Sequence, residues 1–183
     1  MRRHSKPVKF GGTRKGHPYT FFLFFFAFPA LSCGYRPLVG TVPGGGRDVV
    51  IPTAENNTAY VELSGPLTAA LRRSSARYGL TVAASDSNAA RLRAVVVAVN
   101  GEPGMLKVEG KSLVPLDKVW RIDVDAELFG ADGAVLVPKK RFSAEGRAFL
   151  VSTPDAEEAL GQERRAALVD EIADAIVSFV FVR

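Results

Sequence analysis

The run Trp120-Arg121-Ile122-Asp123-Val124-Asp125-Ala126-Glu127-Leu128 alternates apolar and charged side chains without a break. In an extended strand successive side chains point to opposite faces, so this segment has one apolar and one charged face. Ala131-Asp132-Gly133 follows, a three-residue loop that suits a type I turn with glycine in the left-handed position. A hairpin closed there sets Leu128 opposite Leu136, Ile122 opposite Phe142 and Trp120 opposite Ala144. On the other face it brings Asp125 to Lys139 and Asp123 to Arg141. One register thereby serves both faces.

Downstream, Thr153 caps a helix that takes Pro154 in its first turn, with Asp155, Glu157 and Glu158 at the positive end of its dipole. Leu160, Ala167, Leu168, Ile172, Ile176 and Phe179 form its apolar stripe. Phe179 to Val182 are apolar all round, so the helix end is either buried or runs into a short extended piece. Upstream, Leu92 to Val99 is apolar on both faces, as a central strand requires, and a turn over Gly101 to Gly104 ends it. Leu80 to Ala84 reads as another strand. Before it, Ser64 caps a helix with Pro66 in its first turn, Leu63, Leu67, Ala70, Leu71 and Ser74 on one stripe, and Gly79 as its stop. Asp48 to Thr53 is a first strand, and Glu55-Asn56-Asn57-Thr58 a loop. Strand, helix, several strands and helix make an α+β order in which two helices share one apolar face of a mixed β-sheet.

The front of the chain has a different character. Residues 1 to 20 are basic and polar, and Phe21 to Leu31 is an apolar run of 11 residues. A charged start followed by a short apolar core is the pattern of a secretory signal, and the run is well short of the roughly 20 residues a membrane span needs. Ala30-Leu31-Ser32-Cys33 then places a small residue directly before the single cysteine. This resembles the lipobox of bacterial lipoproteins, in which the cysteine is acylated and becomes the mature amino terminus. The expected divisions are a signal peptide over 1–32, a lipidated flexible tether over 33–46 with Gly44-Gly45-Gly46, and one domain over 47–183. Gly34 after the cysteine implies sorting to the outer membrane.

Composition narrows the function. The net charge of +5 comes from the front: no carboxylate precedes Asp48, and from Cys33 onward 18 basic residues face 19 acidic ones. A nearly neutral body has no footprint for nucleic acid. Both histidines, His4 and His17, precede Cys33, so the remainder has no imidazole for a catalytic triad or a histidine-ligated zinc. Asp123, Asp125 and Glu127 are spaced about 7 Å apart along one strand face and opposed by bases, the pattern of a solvated sheet surface. No phosphate loop is present, and we expect no enzyme, no cofactor and no metal site. Arg91 and Arg93 at the start of the central strand, and Lys139, Lys140 and Arg141 on the hairpin, are the candidates for binding phosphate.

The order of these pieces resembles the LptE family of outer-membrane lipopolysaccharide-assembly lipoproteins. The resemblance rests on Cys33-Gly34-Tyr35-Arg36-Pro37-Leu38, Val49-Val50-Ile51-Pro52 with Glu55-Asn56-Asn57-Thr58, the helix from Ser64 to Tyr78, and Asn88-Ala89-Ala90-Arg91-Leu92-Arg93 entering a valine-rich strand. The late hairpin and the terminal helix complete it. It implies a mainly four-stranded mixed sheet carrying two helices, a lipid anchor on Cys33, a seat as plug in the LptD β-barrel, and contact with lipopolysaccharide; Arg91, Arg93, Lys139 and Arg141 are the residues we expect to meet lipid A phosphates or the barrel. The competing expectation is an outer-membrane lipoprotein with no barrel partner, either a lipid carrier or a structural module.

Overall fold

A computed structural model describes residues 39–85, 88–150 and 153–182. The expected signal peptide over 1–32 and Cys33 lie outside them. The chain forms β1 (Asp48–Val50), β2 (Glu55–Asn56), a 3-10 turn (Val61–Leu63), α1 (Ser64–Arg77), β3 (Thr81–Ala83), β4 (Ala90–Pro103), β5 (Leu106–Glu109), β6 (Ser112–Pro115), β7 (Asp117–Phe129), β8 (Val135–Phe149) and α2 (Pro154–Phe181). The main sheet is mixed, in the order β3-β1-β4-β7-β8. β1 lies parallel to both β3 and β4, and β4, β7 and β8 form an antiparallel meander. The α+β architecture with two helices is therefore the one expected. The sheet has six strands where the resemblance implies mainly four, and of the six only β2 falls where the sequence reads as a loop. Glu55 and Asn56 instead pair in parallel with Val95 and Val96 of β4.

One hydrophobic core holds the layers together. Leu67, Leu71 and Leu63 from the α1 side and Leu168, Ile172, Ala173 and Ile176 of α2 meet Leu92, Val96, Trp120, Ile122, Val124 and Leu128 of the sheet, all buried. At roughly 1.5–3 kcal/mol per fully buried large aliphatic side chain, this interface is the main source of stability. The α1 stripe is as expected. Ser64, however, opens the helix after the 3-10 turn instead of capping it, and Gly79 stops it with a φ of 74°. On α2 the stripe turns around the helix axis: Gly161, Arg165, Leu168, Val169, Ile172, Ala173, Ile176, Val177 and Val180 are buried, whereas Leu160, Ala167 and Phe179 are exposed. Phe181 is buried, and the helix runs to it before Val182 becomes extended.

The hairpin turn forms as expected, with Gly133 at a φ of 82° and Gly130 N–H donating to Ala134 C=O at 2.7 Å. Its register does not persist. Phe129 faces Val135, but irregularities on both sides of Leu128 shift the pairing twice, so Asp125 faces Arg141, Asp123 faces Ser143, Ile122 faces Ala144 and Trp120 faces Gly146. Each one-residue slip reverses the faces and two restore them, which is why the apolar and charged sets survive while individual partners change. β4 likewise continues through the stretch read as a turn. Gly101 pairs with Trp120, and a Cβ built on it would stand 2.9 Å from the indole ring. Glycine is required there for packing against the ring, not for a bend.

The segment read as tether joins the body before its end. Gly40 N–H donates to Tyr78 C=O at 2.7 Å, Thr41 N–H to Phe181 C=O at 2.9 Å, and Val42 is buried. These bonds take up carbonyl groups at the C-terminal ends of both helices. Gly44, Gly45 and Gly46 then turn the chain into β1 with φ values of 95°, 105° and 89°, a run that side chains would strain.

Candidate functional site

The helices cover one face of the sheet, and the other face carries the charge. Along β7 the buried Trp120, Ile122, Val124, Ala126 and Leu128 alternate with Arg121, Asp123, Asp125 and Glu127. β4 adds Arg91 and Arg93, β8 adds Lys139, Arg141, Glu145 and Arg147, and β2 adds Glu55 at the edge. A groove of about 260 Å³ runs over this face between Glu55, Asn57, Arg93, Asp125, Glu127 and Lys139, floored by Val95 and Val97.

Within it the charges are mostly matched. Arg93 makes a two-pronged bond to Glu55, Nε to Oε1 and Nη2 to Oε2, both 2.9 Å. Arg141 does the same with Asp125, at 2.8 Å and 3.1 Å. Arg121 Nε meets Asp123 Oδ1 at 3.1 Å. The guanidinium beside Glu55 holds that carboxyl below its ordinary range, and Arg141 does so for Asp125. For Asp123 burial pushes upward, but hydrogen bonds from Ser143 and Arg121 and the positive charges of Arg121 and Arg141 outweigh it, leaving the carboxyl lowered.

Of the five residues singled out for phosphate, Arg93 and Lys139 line the same groove, whereas the Lys140 ammonium lies 3.5 Å from the ring centre of Phe179 on α2. Arg141 faces Asp125 beside it, and Arg91 lies two residues along β4, donating from Nη2 to Ser85 C=O at 3.1 Å. Lys139 has no ion pair within 4.0 Å among the described residues. Sequence reasoning assigned Asp125 to Lys139 and Asp123 to Arg141. The doubly shifted register gives Asp125 to Arg141 instead and leaves Asp123 to Arg121 and Ser143. The face is a patchwork of arginine–carboxylate pairs open to water, not a cluster of free cations.

A second polar centre escaped the sequence reading. Arg165 of α2 is 2% exposed, with its guanidinium carbon 4.6 Å from the Trp120 ring centre and 4.9 Å from that of Tyr60. Its Nη2 bonds to Glu158 at 2.8 Å and lies 3.6 Å from Glu62. The bond from Arg165 holds the Glu158 carboxyl below its ordinary range. Tyr60 meets Trp120 edge to face at 5.9 Å. Gly101, Gly146 and Gly161 leave room around that indole and for Arg164 beside it. Asn56 fixes the loop leading there: its Oδ1 accepts from Thr58 N–H at 2.9 Å and its Nδ2 donates to Tyr60 C=O at 2.6 Å. The helical spacing of Gly161, Arg165, Leu168 and Ile172 was the available signal, and the charge of Arg165 concealed it.

No family model matches the chain, and no curated protein matches it in sequence. Solved structures do match in fold. A minor lipoprotein from Acinetobacter baumannii is similar at 12% identity and a TM-score of 0.50, over 73% of this chain and 90% of that one. The rare lipoprotein B from Shewanella oneidensis is similar at 10% identity and 0.52, over 72% and 92%. A Xanthomonas campestris protein from a family of unknown function is similar at 13% identity and 0.52, over 78% and 91%. At these identities the likeness is one of fold, and the described domain has the fold seen in bacterial lipoproteins.

Proposed function

We propose that the chain is a non-enzymatic, lipid-anchored protein of the outer membrane. In this reading its domain sits as a plug in a β-barrel of the LptD type and contacts lipopolysaccharide during insertion into the outer leaflet. The observation that carries the reading is the open sheet face. A domain with one core face and one water-wetted, charge-paired face matches the polar lumen of a barrel, where an apolar face would not. Lys139, with Arg93 and Arg141 at the rim of the same groove, is the element that meets phosphate or a barrel carboxylate. The fold shared with bacterial lipoproteins and the small-residue-plus-cysteine start at Ser32-Cys33 support the anchor.

The pairing of Arg93 and Arg141 favours one alternative, a lipoprotein without a barrel partner, because a nearly neutral face also suits plain contact with water. Purification from native membranes in mild detergent separates the two. The plug reading expects a heat-modifiable barrel in near-equal amount and an acylated Cys33. An acylated Cys33 without a barrel would leave the alternative standing, and an unprocessed amino terminus would overturn both.

A further inference from the structure

The pairing of β4 with β7 continues beyond the body of the domain. Pro103 faces Lys118, Gly104 N–H donates to Asp117 C=O at 3.0 Å, and Leu116 N–H donates to Met105 C=O at 2.8 Å. β5 and β6 then carry on as a two-stranded ribbon, with Leu106 opposite Pro115 and Val108 opposite Leu113. Gly110, at a φ of 64°, turns its tip. At the base, Asp117 is fully buried, its Oδ1 accepts from Met105 N–H, and a Cβ on Gly104 would stand 2.1 Å from that oxygen.

Opposed residues of an antiparallel pair share a face. One face of the ribbon is therefore Leu106, Val108, Leu113 and Pro115, and the other holds Lys107, Glu109 and Ser112 with Val114. Every ribbon residue except Pro115 is exposed, with Val108 at 70% and Leu113 at 65%. Of the 13 large apolar side chains exposed among the described residues, six fall in the stretch 105–116. A two-stranded ribbon is marginal by itself in water, and a concentrated apolar patch marks a contact surface.

The charges and the size of the patch identify the occupant. Between Gly104 and Leu116 stand Lys107 and Lys111 against the single acid Glu109, and Lys118 follows at the base with its ammonium 4.4 Å from the Trp120 ring centre. Apolar side chains fringed by lysines fit a bilayer interface whose headgroups are anionic. A second copy of the chain fits less well. One four-residue face falls short of the about 800 Å² per partner of a specific protein contact.

We propose that the β5–β6 ribbon is a membrane-interface element. It inserts Leu106, Val108 and Leu113 among the acyl chains of an anionic bilayer and keeps Lys107 and Lys111 at the headgroups. It lies at the end of β4 opposite the one near which Gly40 joins the body. This contact stands whether or not the barrel reading does.

The test uses the full chain carrying Cys33→Ser and Val108→Cys, labelled at residue 108 with a polarity-sensitive fluorophore. It is mixed with vesicles of phosphatidylethanolamine and phosphatidylglycerol. The label should shift to the blue and be quenched by brominated acyl chains, whereas a label at Val82→Cys should do neither. Adding Leu106→Asp and Leu113→Asp should abolish the shift and weaken ribbon insertion roughly tenfold or more. If that variant loses its circular dichroism, quenching of the Val108→Cys label alone decides. An unshifted label on vesicle-bound protein would overturn the proposal, and so would a blue shift that grows with protein concentration in the absence of vesicles. Neither result touches the barrel reading, which rests on co-purification.

Discussion

The two faces of β7 are built by different physics. Trp120, Ile122, Val124, Ala126 and Leu128 face the helices and are buried, whereas Arg121, Asp123, Asp125 and Glu127 face away and are matched largely by arginines. The first face obtains its stability from apolar area removed from water, and no particular partner is needed. The second gains little stability from pairs that water and salt screen, but their geometry decides what the face can bind. The contrast predicts that substitutions on the two faces differ several-fold in their effect on folding.

The largest effect should come from Ile172→Ala or Ile122→Ala, both at fully buried positions between the layers. A loss of roughly 2–5 kcal/mol in urea unfolding is expected, and a loss below about 1 kcal/mol would mean that the layers are not joined there. Arg165→Ala is next, at about 2–4 kcal/mol, because it opens a cavity between Trp120 and Tyr60. Arg165→Met should recover much of this, since Glu158 and Glu62 are more than half exposed and can rehydrate. Trp120 is the only tryptophan, so its fluorescence reports that site directly. Gly104→Ala should cost roughly 1–3 kcal/mol, as Asp117 must yield to the added methyl.

On the open face Arg141→Ala or Arg93→Ala should cost far less than any of these, because water and salt screen the exposed guanidinium groups. A double-mutant cycle should couple Asp125 to Arg141 and leave Asp125 with Lys139 near zero, which checks the shifted register. The pH profile sharpens the same point. The Asp125 and Glu55 carboxyls are lowered when folded, from ordinary values of 3.8 and 4.5, so the unfolded chain holds more protons in acid. Their contribution is complete at neutral pH and is lost as pH falls through the lowered values. Asp125→Asn should flatten the acid limb of the stability curve below about pH 4, and an unchanged limb would mean that the pair contributes nothing.

Much of this was legible in the residues. Periodicity placed both helices and the long strands, and the two-residue period of β7 assigned its faces correctly. It mispaired Asp125 and Asp123, because irregularities flanking Leu128 leave no mark in an alternating pattern. Glu55-Asn56 looked like a loop since a two-residue strand has no period. Gly101 to Gly104 looked like a turn since glycine usually marks one, although Gly101 serves the indole of Trp120. Hydrophobicity puts Leu160 and Phe179 on the buried stripe of α2 and leaves Arg165 off it, yet the stripe that packs inward includes this cation.

From the sequence alone came the α+β class, the two helices, the division of sheet residues into apolar and charged sets, and the exclusion of histidine chemistry from the part after Cys33. These follow from composition and period, which are local. The tertiary structure decided which arginine holds which carboxylate, that Arg165 is buried between two aromatic rings, that Gly40 and Thr41 join the helix ends, and that β4 and β7 continue their pairing into the 105–116 ribbon. Each of these depends on a contact between residues far apart in the chain, and local pattern carries no information about the partner on the other side.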